Sequence, residues 1–472
     1  MSKESKLIKN TAIIAIGNIC TKCISFFMLP LYTSILSTIQ YGTVDLISTY
    51  TSLIIIILTL QFEQGVFRFL IESRNNIKKQ KQYISTTIIS LLLLNIPIGV
   101  GLLAILKLLK YQYTYYVIAI ILIGVCISVL LQIPRGLGDN VTYAAGSCIS
   151  GSLNVILNVI FIAVLNWRVE GMLFATILAQ GLAAVYIIFK LKIWKYIKIS
   201  LFEKEKFIKL LKFSAPLIPN TFCWWVVNAS DRVIIKAFIN VAANGIYSVA
   251  CKFPTIFNMV TNIFQLSWTE SASENIGDND SSSYMKKIMQ RIIRLYSSAN
   301  IGIIAVMPFL FNILIGKDFI DAYNYIPLLM TGAFFQGVAN LYGSIYTAYK
   351  MTKEIAKTTI LAAILNIFIN VLLVKKIGIY AAAISTVLAY FTITIVRHID
   401  INKKIKMQYN KRYLISESVV YIIIFYAYYS KNIKIEIIAL VLLIPYCVKQ
   451  NYGMLKMLMN SMFGKFMEKI KK

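Results

Sequence analysis

The stretch WWVVNASDRVIIKAFIN, residues 224–240, is mostly apolar yet contains three ionisable side chains, Asp231, Arg232 and Lys236. On a helix, residues four apart lie on one face, so Asn228, Arg232 and Lys236 would form one stripe. A Lys, Arg or Asp at the centre of a bilayer costs about 2.5–3.5 kcal/mol. Three of them facing lipid would approach the free energy of unfolding of a whole domain. The stretch therefore predicts a membrane helix whose charges face water, one another or a ligand.

The composition of the whole chain supports this interpretation. Of the 472 residues, 58% are hydrophobic and 14% are charged, whereas a water-soluble domain carries about 25% charged residues. A soluble protein of this composition would expose large apolar patches and aggregate. The formal net charge is +28, but the basic residues cluster between apolar runs, as is typical of membrane proteins. We therefore expect the chain to lie in the lipid bilayer and to bind no nucleic acid.

Fourteen apolar runs are long enough to cross a bilayer, which takes about 20 helical residues each. They are continuously apolar and lack the alternation of membrane strands, so we predict an all-α polytopic membrane protein. The runs cover approximately residues 11–36, 43–67, 83–106, 114–134, 142–165, 171–190, 213–238, 243–268, 292–315, 325–348, 357–375, 378–397, 413–429 and 433–448.

The positions of lysine and arginine predict the orientation, because basic connections stay in the cytoplasm. The N-terminal segment, the connection after the second run, the central loop and the connection after the twelfth run are all basic. Connections on the opposite side, such as INVAANG (239–245), have few basic residues or none. Both termini are therefore predicted to be cytoplasmic.

The basic central loop divides the first twelve runs into two halves of six. A shift of 203 residues places Cys20 on Cys223 and Gly42 on Gly245. Because an even number of spans keeps both halves in the same orientation, we predict that a pseudo-two-fold axis along the membrane normal relates them. The expected divisions are a six-helix lobe at 1–190, a cytoplasmic linker at 191–212, a second six-helix lobe at 213–400, two additional helices at 401–450 and a basic amphipathic tail at 451–472.

The sequence offers little for catalysis or metal binding. His398 is the single histidine, and the CxxC formed by Cys20 and Cys23 has neither a second pair nor a histidine cluster beside it. We therefore expect no enzyme activity, no cofactor and no metal site.

Basic side chains dominate the ionisable residues inside the runs. For Arg68 and Lys236, near the ends of runs, snorkelling to the interface is an equal alternative to a cavity role. For the deeper Lys22, Arg232 and Lys252, the alternative is a structural ion pair, although Asp231 could neutralise its neighbour Arg232 only in part. A cationic cavity would hold an anion such as a phosphate strongly. The candidates for anion binding are Lys22, Arg68, Arg232, Lys236 and Lys252.

Four stretches in order along the chain resemble a known family. They are LQFEQGVFRFLIES (60–73), LQIPRGLGDNVTYA (131–144), SDRVIIKAFINVAANGIYSVACKFP (230–254) and IFQLSWTESASE (263–274). They resemble segments of bacterial polysaccharide flippases, the Wzx-type transporters of O-antigen and capsule repeat units. The resemblance implies the multidrug/oligosaccharidyl-lipid/polysaccharide exporter superfamily, a MATE-like fold of two pseudo-symmetric six-helix lobes with two extra C-terminal helices, and a bacterial cytoplasmic (inner) membrane.

The resemblance also implies a substrate, an oligosaccharide linked to undecaprenyl diphosphate. We expect a flippase that carries such repeat units to the outer leaflet by alternating access, for O-antigen, capsule or exopolysaccharide, in contact with polysaccharide polymerase machinery. Candidates for coupling to protons or sodium ions, or for charge balance, are Asp45, Glu63 and Asp231. Candidates for stacking on sugars, with interface anchoring as the alternative, are Trp224, Trp225 and Tyr247.

Two other functions stay open at this point. A cation-coupled multidrug exporter would share the fold, although the basic bias of the runs argues against a site for cations. A membrane-embedded polysaccharide polymerase or glycosyltransferase usually needs a sizeable outer loop or domain, whereas the predicted outer connections are short.

Overall fold

The structure is a computed structural model that describes residues 26–274, 281–403, 405 and 411–470. Within those ranges every regular element is helical, which confirms the predicted all-α fold. In the described chain, nine helices are long and apolar enough to cross a membrane. The protein is a multi-pass membrane protein, and the count of fourteen spans stays a prediction.

The chain forms two compact units, Met1–Ser248 and Val249–Lys472. The predicted lobe boundaries at 190 and 213 stay a prediction. The helices of the first unit are α1 (Leu29–Ile35), α2 (Thr38–Leu58), α3 (Phe62–Glu72), α4 (Ile77–Leu108), α5 (Thr114–Leu137), α6 (Asn140–Asn158) with a π-helical end (Val159–Val164), α7 (Arg168–Leu191), short 3₁₀ turns (Ile193–Lys195 and Ile199–Leu201), α8 (Lys204–Ser214) and α9 (Leu217–Phe238).

Helix α10 (Val241–Ala250) crosses the boundary between the units. The second unit then contains α11 (Lys252–Glu274), α12 (Ser281–Leu314), a 3₁₀ segment (Lys317–Tyr325), α13 (Ile326–Ala348), α14 (Thr352–Ile377), α15 (Tyr380–Asn402), α16 (Lys411–Ser430) and α17 (Ile433–Ile470).

The second apolar run, predicted as one span at 43–67, is two helices. A capping box between Ser37 and Gln40 starts α2. The helix stops before Leu60 and Gln61, which both take left-handed backbone angles, with φ of 49° and 57°. An L-residue in this conformation costs about 1–2 kcal/mol. The prediction of a continuous span was wrong here, because neither residue is a glycine or a proline that would announce the break.

Small residues let the helices of the first unit approach closely. A Cβ on Gly65 of α3 would lie 2.6 Å from the Ser214 Oγ of α8, and one on Gly136 of α5 would lie 2.7 Å from the Leu70 Cβ. Lipid tails are as apolar as leucine, so membrane helices associate through such close van der Waals packing. These contacts fix α3 between α5 and α8, with the break at Gln61 at its start.

The two additional C-terminal helices pack within the second unit against α12. Ser297 on α12 donates to Glu417 Oε2 on α16 at 2.6 Å, and Asn451 on α17 donates to Ser298 Oγ at 2.8 Å. Helix α17 continues without interruption from the last predicted run into the tail, as far as Ile470.

Candidate functional site

The charged stretch of the sequence lies on α9, which packs antiparallel to α2 in the first unit. Arg232 Nε is 2.9 Å from Asp45 Oδ2, and the Trp225 indole N–H donates to Ser52 Oγ at 3.1 Å. On both helices the two partners are seven residues apart, which is two turns. The contacts therefore repeat along one line, and we call these four residues the α2–α9 seam.

The seam extends towards the break in the second run. The Thr221 hydroxyl on α9 donates to Gln61 Oε1 at 3.2 Å, and Gln61 is one of the two left-handed residues. Strained backbone of this kind persists where surrounding contacts over-determine it, and it clusters at functional sites. Because of the break, the polar side chain of Gln61 lies against α9. In a continuous helix it would point in another direction.

Asp45 is the carboxylate that engages the deep arginine. The side chains of Arg232 and Asp45 are 19% and 14% exposed. Arg232 Nη1 also donates to the Asn228 carbonyl at 2.8 Å, and Asn244 Nδ2 approaches Asp45 Oδ2 at 3.4 Å. A charge-assisted pair that keeps some exposure can exchange its acceptor for another anion.

Asp231, the sequence neighbour of Arg232, has a different environment. It is 2% exposed, and it accepts a hydrogen bond of 2.7 Å from the hydroxyl of Tyr247, which is equally buried. The two adjacent charged residues thus point to different partners, as expected for helix positions about 100° apart. The predicted roles of Asp231 in coupling and of Tyr247 in sugar stacking stay predictions.

Helices α2 and α10, which occupy equivalent places in the two sequence repeats, touch at two glycines. A Cβ on Gly42 would lie 2.2 Å from the Val241 carbonyl oxygen, and one on Gly245 would lie 2.1 Å from that of Thr38. Asn244 Nδ2 adds a hydrogen bond of 3.2 Å to the Gly42 carbonyl. The 203-residue shift aligns these two glycines, so equivalent positions of the two sequence repeats are in contact within the first unit.

Of the remaining predicted cations, the three that the structure describes are not gathered at the seam. Lys22 lies outside the described residues. Arg68 pairs with Glu72 at 3.0 Å at the end of α3, with both side chains about half exposed. Lys252 begins α11 in the second unit and is partly buried. Lys236 is exposed at the end of α9, beside a cavity of about 700 Å³.

Two buried oxygen atoms lie on residues at the break between α2 and α3. Within the described chain, Glu63 Oε2 and Asn95 Oδ1 have no hydrogen-bond partner. Asn95 lies on α4 and contacts the end of α2, since its Nδ2 donates to the Leu58 carbonyl at 3.3 Å. Sequence reasoning identified Glu63 but missed Asn95, whose only signal is an amide inside an apolar run. The carboxylate oxygen of Glu63 can take up a proton or a cation, and the amide oxygen of Asn95 can accept a hydrogen bond or coordinate a cation.

Among known protein families, the chain matches the one described as polysaccharide biosynthesis protein, over residues 7–268, which is more than half of its length. The matched part contains all of the α2–α9 seam. No curated protein sequence matches the chain at a significant level.

Solved structures with the same fold include membrane transporters. The lipid II flippase MurJ in an inward closed conformation is 14% identical, with a TM-score of 0.70 over 93% of this chain and 99% of that one. An inward-facing multidrug resistance MATE family transporter of the MOP superfamily is 16% identical, with a TM-score of 0.65 over 83% and 98%. An outward-facing one is 14% identical, with a TM-score of 0.58 over 84% and 96%. The predicted MATE-like fold is confirmed.

Proposed function

The chain belongs to the polysaccharide biosynthesis protein family, and on that premise we propose that it is a flippase for lipid-linked saccharides. It would carry oligosaccharide repeat units on undecaprenyl diphosphate from the cytoplasmic to the outer leaflet of a bacterial cytoplasmic membrane. The product would feed surface polysaccharide synthesis, with polymerase machinery as a neighbour. The solved lipid II flippase with the same fold supports this proposal.

The observation that carries the proposal is the partly exposed side chain of Arg232 inside a mostly apolar helix. Its carboxylate partner, Asp45, sits on another helix and is itself partly exposed. A diphosphate offers the same charge-assisted, bidentate geometry as a carboxylate, with more oxygen atoms. The head group of the lipid would therefore compete with Asp45 for Arg232.

This competition gives a mechanism for gating. At the end that the lysine distribution predicts to be outside, α2 is held to α9 by Arg232 and Asp45, and to α10 by Gly42, Gly245 and Asn244. A diphosphate that takes Arg232 from Asp45 would release one of these links. Since a ligand shifts a conformational equilibrium by its differential affinity, the anion would favour opening of the outer end.

Other predicted residues take supporting roles in this proposal. Lys22, Arg68, Lys236 and Lys252 would attract the anionic head group, and Trp224 and Trp225 would face its sugars. Glu63, with one unpartnered oxygen at the break, would take up a coupling proton or sodium ion. Both termini would lie in the cytoplasm.

A multidrug exporter is the second candidate, because a MATE transporter has the same fold. A site for cationic drugs needs a carboxylate that the drug can reach. At the seam, however, Asp45 is engaged by Arg232, and Asp231 is 2% exposed and bonded to Tyr247. These contacts favour an anionic substrate.

The test is transport by the purified protein in proteoliposomes. The inner leaflet would be loaded with undecaprenyl diphosphate carrying a fluorescent disaccharide, and a membrane-impermeant quencher would report its arrival in the outer leaflet. Ethidium efflux from the same vesicles under a proton or sodium gradient is the competing measurement. We expect movement of the lipid and none of ethidium. Ethidium transport without lipid movement would replace the flippase by the drug exporter.

A further inference from the structure

A cavity of about 700 Å³ lies in the first unit beside Lys236, at the end of α9. Its volume is in the usual range for ligand sites, about 300–1,000 Å³. One wall is a single face of α2, since the spacing of three and four residues places these side chains in one stripe. The residues of this wall are Thr43, Leu46, Ile47, Tyr50, Thr51 and Ile54.

The opposite wall is apolar and the mouth is polar. Leu102 and Leu106 of α4, with Val117 and Ile121 of α5, form the apolar wall. We call the connection between these two helices the mouth, and its five residues all line the cavity: Leu109, Lys110, Tyr111, Gln112 and Tyr113.

Hydrogen bonds to the end of α4 hold the mouth residues in place. The Tyr111 N–H donates to the Leu106 carbonyl at 3.0 Å, and the Lys110 N–H donates to that of Lys107 at 3.0 Å. The rings of Tyr111 and Tyr113 meet edge to face, with centroids 6.1 Å apart. Tyr50 and Tyr111 nevertheless remain 38% and 39% exposed. Aromatic surface is thus presented at a fixed mouth.

The charge of this mouth is unusual for its side of the membrane. The connection lies on the predicted outer side, where basic residues are scarce in membrane proteins. Lys110 and Lys236 nevertheless both line the cavity, and the described residues around it include no aspartate or glutamate. Two ammonium groups without a carboxylate favour a phosphate.

We propose that this cavity is a release site, which holds the glycosyl diphosphate head of the lipid after it has reached the outer leaflet. The lysines would hold the diphosphate, Tyr50 and Tyr111 would face the sugar, and the apolar walls would take the first isoprene units. The inference rests on the proposed function and adds a second binding position to it. Arg232 of the seam lies on α9 one helical turn before Lys236, so a head group leaving the seam has a short path to the cavity.

The test is binding of defined lipids to the full chain in phosphatidylcholine nanodiscs, measured by native mass spectrometry. The probes are undecaprenyl diphosphate, the same lipid carrying N-acetylglucosamine, and phosphatidylglycerol. Lys110→Gln should weaken both diphosphates about tenfold, since a charge-assisted contact is lost. Tyr111→Ala should weaken the glycosylated lipid alone, by about threefold to tenfold.

Matched controls come from the two helices that flank the connection. Lys107 lies over the ring of Tyr115 at 5.3 Å, and neither residue lines the cavity. Lys107→Gln and Tyr115→Ala should bind all three lipids like the unchanged protein. If Lys110→Gln and Tyr111→Ala behave like these controls, the release site is wrong. If phosphatidylglycerol competes as well as the glycosylated lipid, the cavity is a phospholipid site and the proposal also fails.

Transport separates this inference from the proposed function. Normal transport by Lys110→Gln and Tyr111→Ala, with normal binding, would overturn the release site and leave the flippase standing. Loss of selective binding in these variants, in a protein that moves no lipid-linked sugar, would keep the cavity as a binding site for the glycosylated lipid but would overturn the flippase and, with it, the release role.

Discussion

Arg397 and Arg232 both lie inside mostly apolar helices of this protein, and their surroundings differ. Arg397 on α15 is 2% exposed and donates to the Ala339 carbonyl at 2.8 Å and to the Thr358 hydroxyl at 3.0 Å. Arg232 on α9 keeps 19% of its side chain exposed, and its acceptors include a carboxylate on another helix. A charge in a membrane helix is thus not by itself a sign of a binding site.

The difference lies in what each guanidinium can do next. The acceptors of Arg397 are neutral groups of α13 and α14, packed so closely that a Cβ on Gly343 would lie 2.9 Å from its Nη1. No space is left for a ligand, so this arginine joins three helices of the second unit. Arg232 pairs with Asp45 at a partly exposed position, where the proposed anionic head group would replace the carboxylate.

The largest expected effect is therefore on folding, from Arg397→Ala. The substitution empties one of the largest fully buried side-chain positions and should cost about 3–5 kcal/mol, as large-to-small changes in cores do. We expect most of the monodisperse protein to disappear in detergent, measured by size-exclusion chromatography of a fluorescent fusion.

The matched control is Lys403→Ala. Lys403 is 72% exposed and pairs with Asp400 at 3.5 Å on the same helix end, and an exposed pair contributes about 0–1 kcal/mol. Its protein level should not change. An abundant, monodisperse Arg397→Ala protein would show that the buried arginine is dispensable and would remove the contrast with Arg232.

The sequence predicts the fold well where hydropathy alone decides. The run at 325–348 is α13 (Ile326–Ala348) within one residue, and the last two runs are α16 and α17. Where backbone geometry decides, the prediction was wrong. Leu60 and Gln61 break the second span without glycine or proline, because contacts with other helices hold a conformation that local sequence does not favour.

The site was predictable in part, for a similar reason. Depth in an apolar run identified Arg232 and Asp45 separately, but no spacing rule links residues on distant helices, so their pairing required the structure. Arg397 was missed because it stood at the predicted end of the twelfth run, where a basic residue needs no explanation. Helix α15 continues to Asn402, which places this arginine inside the helix, among α13 and α14.

The second prediction concerns the pair at the seam. Asp45→Ala and Arg232→Ala should each lower the rate of lipid transport about tenfold, which corresponds to about 1.4 kcal/mol. Protein abundance should stay near normal, because water can reach the remaining charge. The double variant should stay impaired, since Arg232 is expected to bind the substrate in addition to pairing with Asp45. Transport in proteoliposomes and protein level would be measured together.

A purely structural pair would give the opposite pattern. Each single variant would then lose protein, and the double variant would recover both abundance and transport. Glu205→Ala is the control, because Glu205 and Lys209 form an ion pair of 2.6 Å at an exposed position on α8. Removing that pair should change neither measurement.

The smallest expected effect comes from the other contact of the seam, two helical turns from the ion pair. Ser52→Ala removes the acceptor of the Trp225 indole N–H and should cost about 1 kcal/mol, the net contribution of a typical hydrogen bond. Transport should fall about fivefold or less, with normal abundance.

Trp225→Phe loses the same hydrogen bond but keeps an aromatic face, whereas Trp225→Leu loses both. If Trp225 faces a sugar, Phe at this position should match Ser52→Ala, and Leu should be clearly worse with glycosylated lipid but not with undecaprenyl diphosphate alone. Equal rates for Phe and Leu would limit Trp225 to joining α2 and α9, and the seam would then contact the substrate through Arg232 without an aromatic partner at position 225.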